Sequence, residues 1–262
     1  MNRIKTTFDE LSLNDSKALI TYIVAGDPDL DATLSIMNCM AEEGADIIEI
    51  GIPFSDPMAE GVSIQRGHER ALSNNTSIKD ALNLVSKFRK SNKTTPIVFM
   101  GYMNPFESMG VQEFCKSAAS KGVDGILIVD MPPEESTEFS TEAKKSGIDV
   151  IRLIAPTTDI SRVKEICEIS SGYIYYISVK GITGSNDLDS GDVKQKVEQL
   201  SSETDLPIAI GFGIKDSNSA LSVKDLADGI VAGSVFVDLI GEGGDTITKI
   251  AKKTKELSLA IK

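Results

Sequence analysis

Tryptophan is absent from the 262-residue chain, aromatic residues make up only 5% of it, and there is a single histidine. That histidine, His68, lies in the polar stretch QRGHERAL with no Cys, Asp or His at ligand spacing. This excludes a histidine-built metal centre and reads as a surface residue. The three cysteines, Cys39, Cys115 and Cys167, are odd in number and far apart in stretches of helical pattern. They are expected to be reduced, core-filling thiols of a cytoplasmic protein, with no disulfide framework. No apolar run approaches the ~20 residues of a membrane span, and the N-terminus has no long apolar region, so neither a spanning helix nor a leader is expected. Positive charge is scarce as well: 27 Lys and Arg face 39 Asp and Glu, a net charge of −12. Such a field repels nucleic acid and anionic membranes. An anionic substrate therefore needs a local site of backbone N–H groups.

What is present is an alternation. Short apolar runs at 18–25, 45–52, 96–100, 125–129, 150–154, 173–179, 207–210 and 229–232 read as buried strands. Between them lie stretches of helical spacing at 29–43, 62–74, 77–90, 111–121, 134–146, about 160–170, 192–201 and 217–227, and a last one covers about 245–260. Residues 2–11 precede the first strand as a short amphipathic helix with Ile4, Phe8 and Leu11 on one face. Eight strands, each with a helix behind it, in ~260 residues is the size of a (β/α)₈ TIM barrel. A doubly wound sheet is disfavoured, because no Gly-x-Gly-x-x-Gly follows the first strand. No change of composition marks a linker, so one domain, 1–262, is expected.

The most informative stretch is 45–65, ADIIEIGIPFSDPMAEGVSIQ. Glu49 lies inside its apolar run, where a carboxylate is costly to ionise unless something partners it. A loop stiffened by Pro53 and Pro57 follows, bringing Asp56 and Glu60. A barrel site lies at the C-terminal strand ends, and other conspicuous residues fall there too: Tyr102 and Asn104, Asp130, Tyr175, Thr183, Phe212 and Ser234. The last three strand ends carry glycine (Gly181 and Gly184, Gly211 and Gly213, Gly233). With helix starts expected at Ile214 and Ser234, backbone N–H groups there are available to a phosphate. Tyr22, Tyr102, Tyr173, Tyr175 and Phe212 fall in or at the ends of strands. Barrel filling accounts for Tyr173 or Tyr175 taken singly; together the aromatics suggest an apolar half beside the phosphate half.

The segment EIGIPFSDPMAEG, with MGYMNP, VDMPPEES, SVKGITG, GFGI and AGS in order after it, resembles the tryptophan synthase α subunit family from about Phe8 onward. The resemblance implies a (β/α)₈ barrel that cleaves indole-3-glycerol phosphate to indole and D-glyceraldehyde 3-phosphate. It implies no cofactor in this chain, and a pyridoxal-phosphate β subunit that receives indole within an α₂β₂ (αββα) heterotetramer. By the same resemblance Glu49 is the acid–base residue and Glu60 the acid that binds the indole N–H, although the family usually has Asp at 60 and Pro at 62, where Val62 stands here. The indole pocket corresponds to Tyr22, Met100, Tyr102, Leu127, Tyr175 and Phe212; the phosphate contacts correspond to Gly184, Gly213, Gly233 and Ser234. Thr183 resembles the residue that meets the second acid when its loop closes. Residues 53–60 and 104–109 with Pro132 resemble the face that meets the β subunit. Two rivals differ in class. One is a Schiff-base aldolase using Lys180, which in a polar loop stays protonated and a poor nucleophile. The other is a weakly catalytic subunit kept to activate its partner.

Overall fold

The computed structural model describes residues 2–177, 190–211 and 213–262, with backbone only for 190–192. Among these, eight parallel strands close into a barrel in sequence order. They are β1 (Ala18–Val24), β2 (Ile47–Gly51), β3 (Ile97–Gly101), β4 (Gly125–Ile128), β5 (Asp149–Ile154), β6 (Ile174–Ile177), β7 (Ile208–Gly211) and β8 (Gly229–Ala232). β8 returns to pair with β1, Ala18 opposite Gly229.

Alternation along each strand sorts residues between two layers. On β2, Ile48 and Ile50 face outward into the layer shared with the helices, whereas Ile47 joins Ala18, Ile20, Val98, Leu127, Ile151, Tyr173, Ala209 and Val231 inside the barrel. Period two then places Glu49 inward. The N-terminal helix α1 (Arg3–Leu13) caps the bottom of this interior. Its Ile4 and Phe8 belong to the inner cluster, with Phe8 5.8 Å from the Tyr173 ring. Arg3 fixes it through a 2.7 Å ion pair with Asp124, just before β4.

The outer layer consists of α2 (Leu30–Glu42), α3 (Val62–Ser73), α4 (Ile78–Ser91), α5 (Met103–Met109), α6 (Val111–Lys121), α7 (Thr137–Lys145), α8 (Ile160–Glu168), α9 (Ser190–Ser201), α10 (Ser217–Leu221), α11 (Ser234–Glu242) and α12 (Thr246–Ile261). Several boundaries differ from expectation for identifiable reasons. α5 forms where only loop is predicted: Asp130 accepts the Met103 N–H at 2.7 Å, and Pro105 falls at the third helical position, where an N–H has no partner to lose. A 3₁₀ turn, Pro133–Glu135, replaces the expected first turn of α7. The helical stretch expected at 217–227 does start at Ser217, where Asp216 and Ser219 form a capping box, and not at Ile214, and it ends at Leu221. The three cysteines are buried and unpaired.

The aromatic plug yields a test. Phe8→Ala empties the space beneath Tyr173 and is expected to lower unfolding free energy by about 3–5 kcal/mol. Urea denaturation of the variant against the parent chain measures the loss.

Candidate active site

Glu49 is the buried centre of the C-terminal half of the barrel, 0% exposed. The Tyr173 hydroxyl donates to its Oε1 at 2.5 Å, and Oε2 is buried with no hydrogen-bond partner among the described residues. Burial pushes its pKa up to about 7; the Tyr173 hydrogen bond opposes the rise, and repulsion from Glu60 adds to it. A carboxyl poised there exchanges protons in either direction near neutrality.

Glu60 closes the loop after β2 and is half-buried. Its carboxyl is also raised to about 7, by burial. Both acids act on the same tyrosines: Tyr22 and Tyr175 have hydroxyl pKa values held well above the ordinary one, by burial first and then by both carboxylates. Glu49, Glu60, Tyr22 and Tyr175 therefore share one site. Asp56, on the same loop, is exposed and takes only the Ser55 hydroxyl.

Tyr102 follows β3 at the N-cap of α5, stacks on Phe54 with ring centres 5.3 Å apart, and accepts the Ala59 N–H at 3.0 Å. It thus anchors the residue preceding Glu60. Gln65 holds the Glu60 carbonyl at 2.8 Å. Met100 is half-buried among Tyr22, Val24 and Ile64, and Leu127 is fully buried in the inner layer.

Tyr22 bridges the two halves. A Cβ on Gly51 would lie 2.1 Å from its hydroxyl oxygen, and one on Gly233 would lie 3.3 Å from its Cβ. Only glycine at 51 admits the ring tip, so the tyrosine runs from the turn at Gly233 to the strand that carries Glu49. Gly233 precedes α11, whose first residues, Ser234 and Val235, have no carbonyl one turn back and so present free N–H groups. Gly213 is exposed in the left-handed region, φ +66°. Thr183, Gly184 and Phe212, with Lys180, lie outside the described residues.

One expectation is overturned. His68 is no surface residue: it is 2% exposed, on the inner face of α3 with Ile64, Gly67 and Ala71. Its Nδ1 accepts the Phe54 N–H at 3.1 Å and its Nε2 lies 3.3 Å from the Tyr22 hydroxyl. Burial pushes its pKa down to about 4, so the ring is neutral at pH 7. The 64, 67, 68, 71 spacing was the available signal for this face. Tyr173 was expected only among the aromatics of the apolar half, with no contact to Glu49. Its ring fills the barrel as supposed, but its hydroxyl meets the acid. The signal was that a buried tyrosine hydroxyl needs a partner, and Glu49 was the one polar group predicted inside the same barrel.

A family model described as tryptophan synthase alpha chain matches residues 8–262. The chain is 44% identical to the tryptophan synthase alpha chain of Nitrosomonas europaea, over 100% of this chain and 96% of that protein. It is 47% identical to that of Thioalkalivibrio sulfidiphilus, over 92% and 91%. Among solved structures, tryptophan synthase subunit alpha from Legionella pneumophila superposes with a TM-score of 0.94 at 39% identity, covering 100% of this chain and 98% of that one. A chain of the tryptophan synthase complex from Pyrococcus furiosus superposes with a TM-score of 0.84 at 36% identity, over 92% and 98%.

The raised carboxyls bear on stability. Glu49 binds its proton more tightly in the folded chain (about 7) than at its ordinary value of 4.5, so the native state holds more protons between these pH values and loses stability as pH rises through them. His68 acts in the opposite sense between about 4 and 6.5, its folded value being the lower one. Glu49→Gln removes only the first contribution. The variant is expected to gain about 3 kcal/mol relative to the parent between pH 4.5 and 8, measured by urea denaturation at both pH values.

Proposed function

The chain belongs to the tryptophan synthase alpha chain family, and from this premise we propose that Glu49 and Glu60 carry out its reaction, the retro-aldol cleavage of indole-3-glycerol phosphate. The observation that carries the assignment is Glu49 itself: a fully buried carboxyl titrating near 7, with one oxygen held by Tyr173 and the other unpartnered. Protonated Glu49 delivers its proton to the indole C3 carbon. The bond from C3 to the glycerol carbon then breaks, and the hydroxyl on that carbon gives up its proton as it becomes the aldehyde of D-glyceraldehyde 3-phosphate. The carboxylate just formed accepts that proton, so the acid is regenerated and indole leaves with the new C–H bond. Ionised Glu60 accepts the indole N–H and stabilises the positive charge that C3 protonation places on the ring.

Tyr22, Met100, Tyr102, Tyr175 and Leu127 form the walls of the apolar half, supplemented by Phe212. The phosphate rests on the N–H groups at Gly233 and Ser234, beside Gly213; the family resemblance assigns Gly184 to the same phosphate and Thr183 to Glu60. Backbone amides at a helix N-terminus suit a dianion on a chain whose net charge is −12.

Chain 1–262 acts as one catalytic unit, in the cytoplasm, and carries no cofactor itself. Its partner is a pyridoxal-phosphate β subunit that receives the indole, in an αββα heterotetramer. The loop after β2 supplies the docking face with 104–109 and Pro132; Met58 is 79% exposed there, an apolar side chain suited to a partner. Val62, the first residue of α3, occupies the position at which the family's proline would pre-set the helix, so this loop is less rigid in the free chain.

Two measurements test the reading. Glu49→Gln is expected to abolish indole formation from indole-3-glycerol phosphate, with circular dichroism unchanged; turnover within tenfold of the parent overturns the assignment. Glu60→Asp is expected to retain activity, since the family acid makes the same hydrogen bond. The second is the pH profile. Cleavage requires Glu49 protonated and Glu60 ionised, so kcat/KM follows a narrow bell near pH 7 whose limbs belong to the coupled pair. Tyr173→Phe removes the hydrogen bond that favours the Glu49 carboxylate, and the alkaline limb is expected to move up by about one unit.

A further inference from the structure

His68 uses both ring nitrogens on groups that belong to the site. Nδ1 accepts the Phe54 N–H, so it carries no proton in the neutral ring. Nε2 must then be the protonated nitrogen, and it donates to the Tyr22 hydroxyl oxygen at 3.3 Å. The ring is fixed on both sides. One residue pair further along α3, Arg70 forms a two-pronged ion pair with the fully buried Asp27 at the end of β1, at 2.7 and 2.8 Å. That clamp fixes α3 against β1, the strand that carries Tyr22.

The tautomer constrains Tyr22. With His68 donating to its oxygen, the Tyr22 hydroxyl proton has to point away from the imidazole. The other polar groups acting on that hydroxyl are Glu60, Glu49, Tyr102 and Tyr175, with Glu60 the strongest. The same imidazole holds the first part of the loop that brings Glu60 in, while Tyr102 holds Ala59 near its far end. Glu60 has one methylene more than the aspartate common in its family, so its carboxylate has an additional torsion to be fixed.

We propose that His68 is a positioning residue for the cleavage reaction: by donating to Tyr22 and accepting from Phe54, it ties the loop that carries Glu60 to the Tyr22 wall of the site and so fixes that acid for the indole N–H. The inference rests on the assignment of Glu49 and Glu60 as the reacting acids. Tyr22 then serves as more than an apolar wall, and the pair His68–Tyr22 compensates for the longer acid.

Two substitutions separate the two contacts of the ring. In His68→Asn the side-chain oxygen stands near the Nδ1 position and keeps the Phe54 bond, but nothing reaches Tyr22. In His68→Gln the longer amide places its N–H near the Nε2 position. The α chain is assayed in complex with its β subunit, with kcat and KM for indole formation from parent, His68→Asn, Tyr22→Phe, the double variant and His68→Gln. Thermal melting is followed in each. His68→Asn and Tyr22→Phe are each expected to lower kcat about tenfold, the value of one directed hydrogen bond, with KM within about twofold. The double variant is expected to be no slower than either single one, and His68→Gln to recover most of the rate. Multiplying losses in the double variant, or a His68→Asn protein that melts lower yet turns over at the parental kcat, overturn the proposal. The cycle should also vanish in Glu60→Asp if Glu60 is the group being aimed; a coupling of unchanged size there overturns it. Loss of the acid assignment shows separately, as activity remaining in Glu49→Gln.

Discussion

The structure depends on one costly burial: an ionisable carboxyl set inside the apolar interior of a closed barrel. Burial pushes the Glu49 carboxyl up, the Tyr173 hydrogen bond opposes the rise and Glu60 adds to it, and the net result is about 7. Tyr173 can do this only because it is itself locked, with its ring on Phe8 and no exposed surface. The N-terminal helix, remote from the chemistry, therefore bears on it: Phe8 supports the ring, the ring aims the hydroxyl, and the hydroxyl sets the proton affinity of the acid.

Around this centre the second acid is held differently. Glu49 is fixed by a strand with neighbours on both sides. Glu60 hangs from a loop, and the loop is pegged by side chains from elsewhere: His68 at Phe54, Tyr102 at Ala59, Gln65 at the Glu60 carbonyl. Such a loop can be fixed in place without a strand's hydrogen-bond ladder, and it can be loosened at a single peg. The outer surface of the same loop exposes Met58 and leads into Val62. Anything that packs on that surface acts on the segment that carries Glu60.

Much of this was legible in the sequence, because burial and period leave a mark. The β2 run, with one acid among β-branched residues, pointed to Glu49; that it faces inward, on the side of Ile47, came from the closed barrel. The glycine turns gave the expected phosphate side, of which Gly181 and Gly184 lie outside the described residues. His68 was misplaced because the polar neighbours Arg66, Glu69 and Arg70 dominate its stretch, although the inner face of an amphipathic helix is set by spacing and not by mean polarity. Arg70 itself is drawn inward by Asp27, a pairing between residues far apart in sequence that no local pattern displays. α5 was hidden for a similar reason: its stabilising contact comes from Asp130, on the next strand's end. The spacing placed the start of α10 correctly at Ser217, where Asp216 and Ser219 cap it, whereas the glycine turn suggested a start at Ile214, ahead of that capping pair.

The separation of the two halves follows from the thickness of one aromatic ring. Tyr22 lies between Gly51 and Gly233, touching the places where a side chain at either would sit. A methyl group at 51 would collide with its hydroxyl, so the strand carrying Glu49 could not keep its distance from the Gly233 turn before α11. The chain thus sets the span between the acid and that turn by close contact with backbone, which does not change rotamer, and leaves only the hydroxyl direction of Tyr22 to be chosen. That last freedom is removed by the imidazole behind it. A neutral histidine is suited to this position: one nitrogen takes a backbone N–H, and the other is left with only a proton to offer. An amide side chain has the same two kinds of atom, but they diverge from one carbon and cannot reach both partners across the width of a ring.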